Sequence, residues 1–132
     1  MKGIIITSHG DLARGMLETT KLFLGEDIKQ VEAVCLKPED NPDEFVDVLK
    51  EACKRVDSGD GVLVFCDLLF GSPCNCMARI LDEKIDVITG MNLPMVLEVM
   101  TSREFGDVDV ANLCNTGKDG IAELKKVLEQ AQ

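Results

Sequence analysis

Four short apolar runs separated by helical patterns constrain the fold of this chain more than any other feature. The runs are "GIIITS" (3–8), "IKQVEAVCL" (28–36), "GVLVFCD" (61–67) and "IDVITG" (85–90). The first and third are apolar without alternation and rich in β-branched or large residues, as strands buried on both faces are. Between them, "DLARGMLETTKLFLGE" carries Leu12, Met16, Leu17, Phe23 and Leu24 at helical spacing and stops at Gly25. "NPDEFVDVLKEACKRVDSG" opens with Asn41 as N-cap, Pro42 at the first helical position and acids in the first turn. It closes on Lys54, Arg55 and Gly59, complementing the helix dipole at its end.

A third helix is expected from Ser72-Pro73, with Ser72 as its cap and Met77, Ile80 and Leu81 as apolar positions. Pro94 stands near the start of a fourth, "LPMVLEVMTSREF". Beyond Gly106, "VDVANLCN" (108–115) alternates loosely and is a candidate edge strand. "GIAELKKVLEQAQ" is expected to end the chain as a helix with Ile121, Leu124, Val127 and Leu128 on one face. Strand–helix alternation joined by right-handed crossovers gives an open, mostly parallel sheet with helices on both faces, a three-layer α/β/α fold. The chain of 132 residues is expected to be one domain, 1–132.

Charge narrows the function. A net charge of −10 argues against nucleic acid and anionic membranes, which both require clustered positive charge. No apolar run approaches the ~20 residues of a membrane span. The N-terminal stretch lacks a signal-peptide cleavage site, so the expected location is the cytoplasm. There, Cys35, Cys53, Cys66, Cys74, Cys76 and Cys114 read as reduced thiols. Only Cys74-x-Cys76 invites a metal, and it lacks a second ligand pair, so neither metal nor cofactor is expected.

Open parallel sheets bind ligands outside the carboxyl ends of their strands. Here those ends are Thr7-Ser8-His9-Gly10, then Asp67 followed by "LLFGSP", and Thr89-Gly90-Met91-Asn92, and all three can converge on one crevice. His9 is the only histidine. A carboxylate such as Asp67 on one imidazole nitrogen fixes the tautomer, frees the other nitrogen to act as nucleophile and stabilises the cationic ring that forms. The helix opened by Ser72 offers free N–H groups to an anion. These elements also have plainer readings: His9 as a solvated loop residue, Asp67 as a turn former and Ser72-Pro73 as a cap. Met91, Met95 and Met100 read as core or as a partner surface. Physical chemistry alone leaves the two readings open.

The stretches "IIITSHGDLARGMLET", "GVLVFCDLLFGSPCN" and "ITGMNLPMVLE", in this order and spacing, resemble the IIA component of the mannose/sorbose-type sugar phosphotransferase system. The resemblance implies that His9 accepts a phosphoryl group from the phosphocarrier protein HPr and passes it to a IIB component. IIC and IID membrane subunits then act downstream in sugar uptake. It implies that Asp67 orients His9 through Nδ1, and that Ser72, preceded by Gly71, helps bind the phosphoryl oxygens. It further implies a strand order 2-1-3-4 plus an antiparallel edge strand exchanged in a homodimer, for which 108–115 is the candidate, and a IIB partner on a separate chain. One departure is Phe70, which stands where the family has a glycine; a positive φ there would strain an L side chain. The alternatives are the phosphotransfer subunit of a dihydroxyacetone kinase, and a non-catalytic regulatory module binding through an acidic, methionine-bearing surface.

Overall fold

Ile4, Ile5 and Ile6 are fully buried because their strand runs through the middle of the sheet. In the computed structural model, which describes residues 1–131, β1 (Gly3–His9) lies between β2 (Val31–Leu36) and β3 (Val62–Cys66), with β4 (Ile85–Ile88) outside β3. All neighbours pair in parallel, with Ile6 level with Ala33 on one side and Phe65 on the other. Successive side chains of a strand point to opposite faces. Ile5, Val62, Val64 and Cys66 therefore meet α2 (Pro42–Val56) and α3 (Ser72–Ala78) through Phe45, Leu49, Ala52, Val56 and Met77. Ile4, Ile6, Leu63 and Phe65 meet α1 (Leu12–Leu24), α4 (Leu93–Ser102) and α5 (Val110–Asp119) through Ala13, Met95, Val96, Val99 and Leu113. This is the expected three-layer α/β/α arrangement in the order 2-1-3-4.

Caps explain where the helices begin. Asn41 accepts a hydrogen bond from the Asp43 N–H at 2.8 Å, and Pro42 occupies the first turn. At the opposite end from the strand tips, the buried Arg103 guanidinium donates to the carbonyls of Lys2, Gln30 and Lys29, tying together the chain entering β1 and β2.

Several expectations are corrected. Residues 108–115 form no edge strand: Val110–Asp119 is helix α5, and the antiparallel strand is absent among the described residues. Only Val108-Asp109-Val110 alternates, whereas Val110, Leu113, Cys114 and Gly117 share a helical face. Asp109 caps that helix by accepting from the Asn112 N–H at 3.1 Å. Gly117 admits α4 so closely that a Cβ there would lie 2.1 Å from Met95 Cε. The face of α1 that packs inward is Ala13, Met16, Leu17 and Thr20, while Leu12, Phe23 and Leu24 are exposed.

The final helix, α6 (Leu124–Gln130), belongs to neither core, and Ile121, Leu124, Val127 and Leu128 face solvent. Gln132, the last residue of the expected helix, lies outside the described residues. Met95 and Met100 are buried, and Met91 packs against the same core, so these three are core residues rather than a partner surface. Among the described residues no helix is long and apolar enough to cross a membrane.

Candidate active site

The end of β1 turns sharply enough to leave His9 at the rim of the sheet. Gly10 adopts φ 57, a left-handed value that a glycine takes without steric cost, and its N–H donates to the Leu36 carbonyl at 2.8 Å. Buried Ser8 fixes the same turn: its Oγ accepts from the Ala13 N–H at 2.7 Å and donates to the Gly10 carbonyl at 3.1 Å. Ser8 thus does the capping that Asp11, the positional N-cap of α1, leaves undone; the Asp11 carboxylate pairs with Lys37 instead.

At the end of β3, Asp67 reaches across to this turn. Its Oδ2 lies 2.8 Å from His9 Nδ1 and also accepts the His9 backbone N–H at 3.0 Å. The two bonds clamp ring and backbone with one oxygen. The imidazole is 46% exposed and the carboxylate only 11%. Burial by itself raises the Asp67 pKa, but the hydrogen bonds from the His9 ring and backbone and the charge of the ring outweigh it, leaving the carboxyl below its ordinary value. An ionised carboxylate only accepts, so Nδ1 carries a proton, and in the neutral ring the lone pair is on Nε2. The other oxygen, Oδ1, is buried with no hydrogen-bond partner among the described residues.

Nε2 faces Gly71. A Cβ on Gly71 would lie 2.6 Å from His9 Cε1 and 3.3 Å from Nε2, so only a glycine lets this backbone touch the imidazole. Gly71, rather than Ser72, is the N-cap of α3. Ser72 is the first helical residue, and its hydroxyl is not spent on capping. Phe70 adopts φ 64 at the third position of a turn closed by the Gly71 N–H on the Leu68 carbonyl at 3.1 Å, a position that favours glycine. The strain is on the order of 1 kcal/mol. Asn75, which sequence reasoning passed over, donates to the Phe70 carbonyl at 3.0 Å and holds the loop, so Gly71 keeps its contact with His9.

The third strand end does not join the cluster. Asn92 caps α4 through the Met95 N–H at 3.4 Å and donates to the Gly117 carbonyl at 2.7 Å, directing "TGMNLP" toward α5. Its link to the site is indirect, through the Met91 N–H on the Cys66 carbonyl at 3.1 Å. Cys66 itself is pushed up to about 12, first by burial and then by Cys74, Asp67 and Cys76, so it stays protonated at neutral pH and offers no nucleophile. Cys76 is buried, its thiol donating to the Pro42 carbonyl at 3.4 Å, and Cys74 packs against the same core. Among the described residues no three His, Cys, Asp or Glu side chains converge as a metal site would require.

A half-exposed nucleophilic imidazole, an orienting carboxylate and a glycine-lined approach to Nε2 can carry a group transferred by in-line displacement. A family model described as "PTS system fructose IIA component" matches residues 3–112. The PTS system mannose-specific EIIAB component of Escherichia coli is 33% identical over 97% of this chain, which spans only 41% of that relative's length. The PTS system sorbose-specific EIIA component of Lacticaseibacillus casei is 29% identical over 96% of this chain and 86% of its own. The solved PTS IIA protein associated with the fucose utilization operon of Streptococcus pneumoniae superposes with a TM-score of 0.88, at 30% identity and covering 96% of each chain. Because the matched span carries both strand ends that meet at His9 and the same fold, this chain belongs to the IIA family of the sugar phosphotransferase system, in its mannose/fructose/sorbose branch.

Proposed function

We propose that His9 Nε2 is the phosphoryl carrier, loaded from phosphohistidine on HPr and unloaded onto a IIB protein. The observation that carries this reading is the 2.8 Å bond between His9 Nδ1 and Asp67 Oδ2, which leaves Nε2 as the nucleophile. In the loading step the Nε2 lone pair forms a bond to phosphorus as the donor's N–P bond breaks. That electron pair returns to the donor ring, which, protonated on its other nitrogen, leaves as neutral imidazole. The His9 ring becomes a cation with Nδ1–H still bonded to Asp67, and the carboxylate stabilises it. Transfer to IIB reverses the exchange. In this reading Gly71 and Ser72 line the place of the phosphoryl oxygens, with the free Ser72 hydroxyl as a donor.

IIC and IID membrane subunits act downstream of IIB without contacting this chain. We also assign a homodimer, formed without exchange of a strand from 108–115, since α5 begins at Val110. The test is incubation with phosphoenolpyruvate, enzyme I and HPr, followed by peptide mapping. Acid-labile, base-stable label confined to the peptide that contains His9 is the expected result. Label on any other peptide, or none, rejects the reading.

A further inference from the structure

We propose that Asn75 is a positioning residue for phosphoryl transfer and works as a pair with Phe70, its amide holding that strained residue in the conformation that seats Gly71 against His9. The inference rests on transfer through His9. Two features single out Asn75. It lies inside α3, where alanine is the better helix former, and its side chain is exposed, so it serves neither the helix nor the core. Its Nδ2 reaches back to the loop instead and donates to the Phe70 carbonyl at 3.0 Å. A residue that suits its own helix poorly and commits its amide to a neighbouring loop points to a use in that loop.

The loop supplies the use. The Phe70 carbonyl and the Gly71 N–H are the two ends of one planar peptide unit, and each end is bonded. The carbonyl accepts from Asn75, and the N–H donates to the Leu68 carbonyl at 3.1 Å. Held at both ends, the unit keeps its orientation. That hold is needed because Phe70 sits at φ 64, from which an L residue relaxes by rotating about its N–Cα bond. Such a rotation swings the Phe70 carbonyl and Gly71 together, and the exposed Phe70 ring adds no core burial to resist it. Gly71 is where the movement matters, because a Cβ there would lie 2.6 Å from His9 Cε1. When Gly71 moves, the imidazole loses the backbone against which it is seated.

The coupling between the two residues has a definite sign. Glycine takes a positive φ without steric cost, so in Phe70→Gly the loop has no strain to relieve. The Asn75 bond then becomes dispensable for transfer, although it is required when position 70 carries a side chain.

Asn75→Ala is expected to lower kcat for loading of His9 about fivefold, the share of molecules that lose the seated loop with one hydrogen bond. KM for phospho-HPr is expected to stay unchanged, and phosphoramidate, a small donor that needs no docking, to show the same loss. The thermal midpoint is expected to hold, since alanine suits the helix better. In the Phe70→Gly background the same substitution is expected to leave kcat within about twofold. The NMR resonances of the His9 ring, read without any donor, are expected to move in Asn75→Ala and to return in the double variant. Parent-like loading by Asn75→Ala, an equal loss in both backgrounds, or ring resonances that ignore Asn75→Ala would each overturn the proposal. If neither phospho-HPr nor phosphoramidate labels the parent chain, the transfer reading itself fails, and this role falls with it.

Discussion

Asp67→Asn is expected to slow phosphoryl transfer through His9 by about a hundredfold to a thousandfold while the fold persists. The backbone N–H of His9, 3.0 Å from Oδ2, decides how the new amide sits. An amide nitrogen there would face a donor with a donor, so the amide oxygen must point at His9. The ring then keeps its Nδ1–H tautomer and its direction, and only the negative charge is lost. That charge matters most when the ring becomes cationic, so the loss falls on kcat for transfer. The amide nitrogen would take the place of Oδ1, which is buried without a partner among the described residues, and some stability is lost there as well.

The pH dependence has a definite sign. A carboxyl with a depressed folded pKa stabilises the fold above its unfolded value of ~3.9, and the contribution disappears as pH falls through the folded value. The stability gap between parent and Asp67→Asn should therefore shrink as pH falls below about 4. Equal transfer rates for the two proteins at neutral pH would remove the orienting role from Asp67.

Gly71→Ala is the second large effect, expected to reduce transfer about a hundredfold, the scale of an ångström-sized misplacement of a reacting group. The backbone is not the reason, because Gly71 has φ −72 and ψ 166, which alanine adopts without strain. The reason is the close approach: the added Cβ would sit 2.6 Å from His9 Cε1. The ring is half-exposed and can swing outward, so the protein folds, but the swing stretches the Nδ1–Asp67 bond and turns Nε2 away. Its signature separates it from Asp67→Asn. Spectroscopically, the His9 ring should change environment in Gly71→Ala and hold its place in Asp67→Asn. Parent-like transfer by Gly71→Ala would mean that the ring does not need this contact.

Much of this was legible in the residues because it depends on local pattern. The uninterrupted apolar run ending at His9 could only be an inner strand, and Asn41-Pro42 could only be a helix start. Parallel strands in turn bring their carboxyl ends to one edge of the sheet, which is how His9 and Asp67, far apart in sequence, meet. What stayed hidden depends on contacts between elements. The Asp109 cap and the helical spacing of Val110, Leu113 and Cys114 mark α5, but its seat on α4 rests on the close approach of Gly117 to Met95. The apolar residues Leu12 and Phe23 satisfy a helical period yet face solvent. "TGMNLP" is polar at the end of a strand like the other two, but β4 lies two strands from β1, and Asn92 is taken by Gly117. The family resemblance marked Gly71 as a phosphoryl-binding position; that a side chain there would collide with the imidazole is a matter of 2.6 Å.

In the proposed function Asp67 holds Nδ1 of His9 and leaves Nε2 to carry phosphate. Combined nitrogen and phosphorus NMR of the phosphorylated chain tests it most directly. Phosphorus bonded to Nε2 of His9, with Nδ1 still protonated and bonded to a carboxylate, is the expected result; phosphorus on Nδ1, or on any other residue, would contradict it.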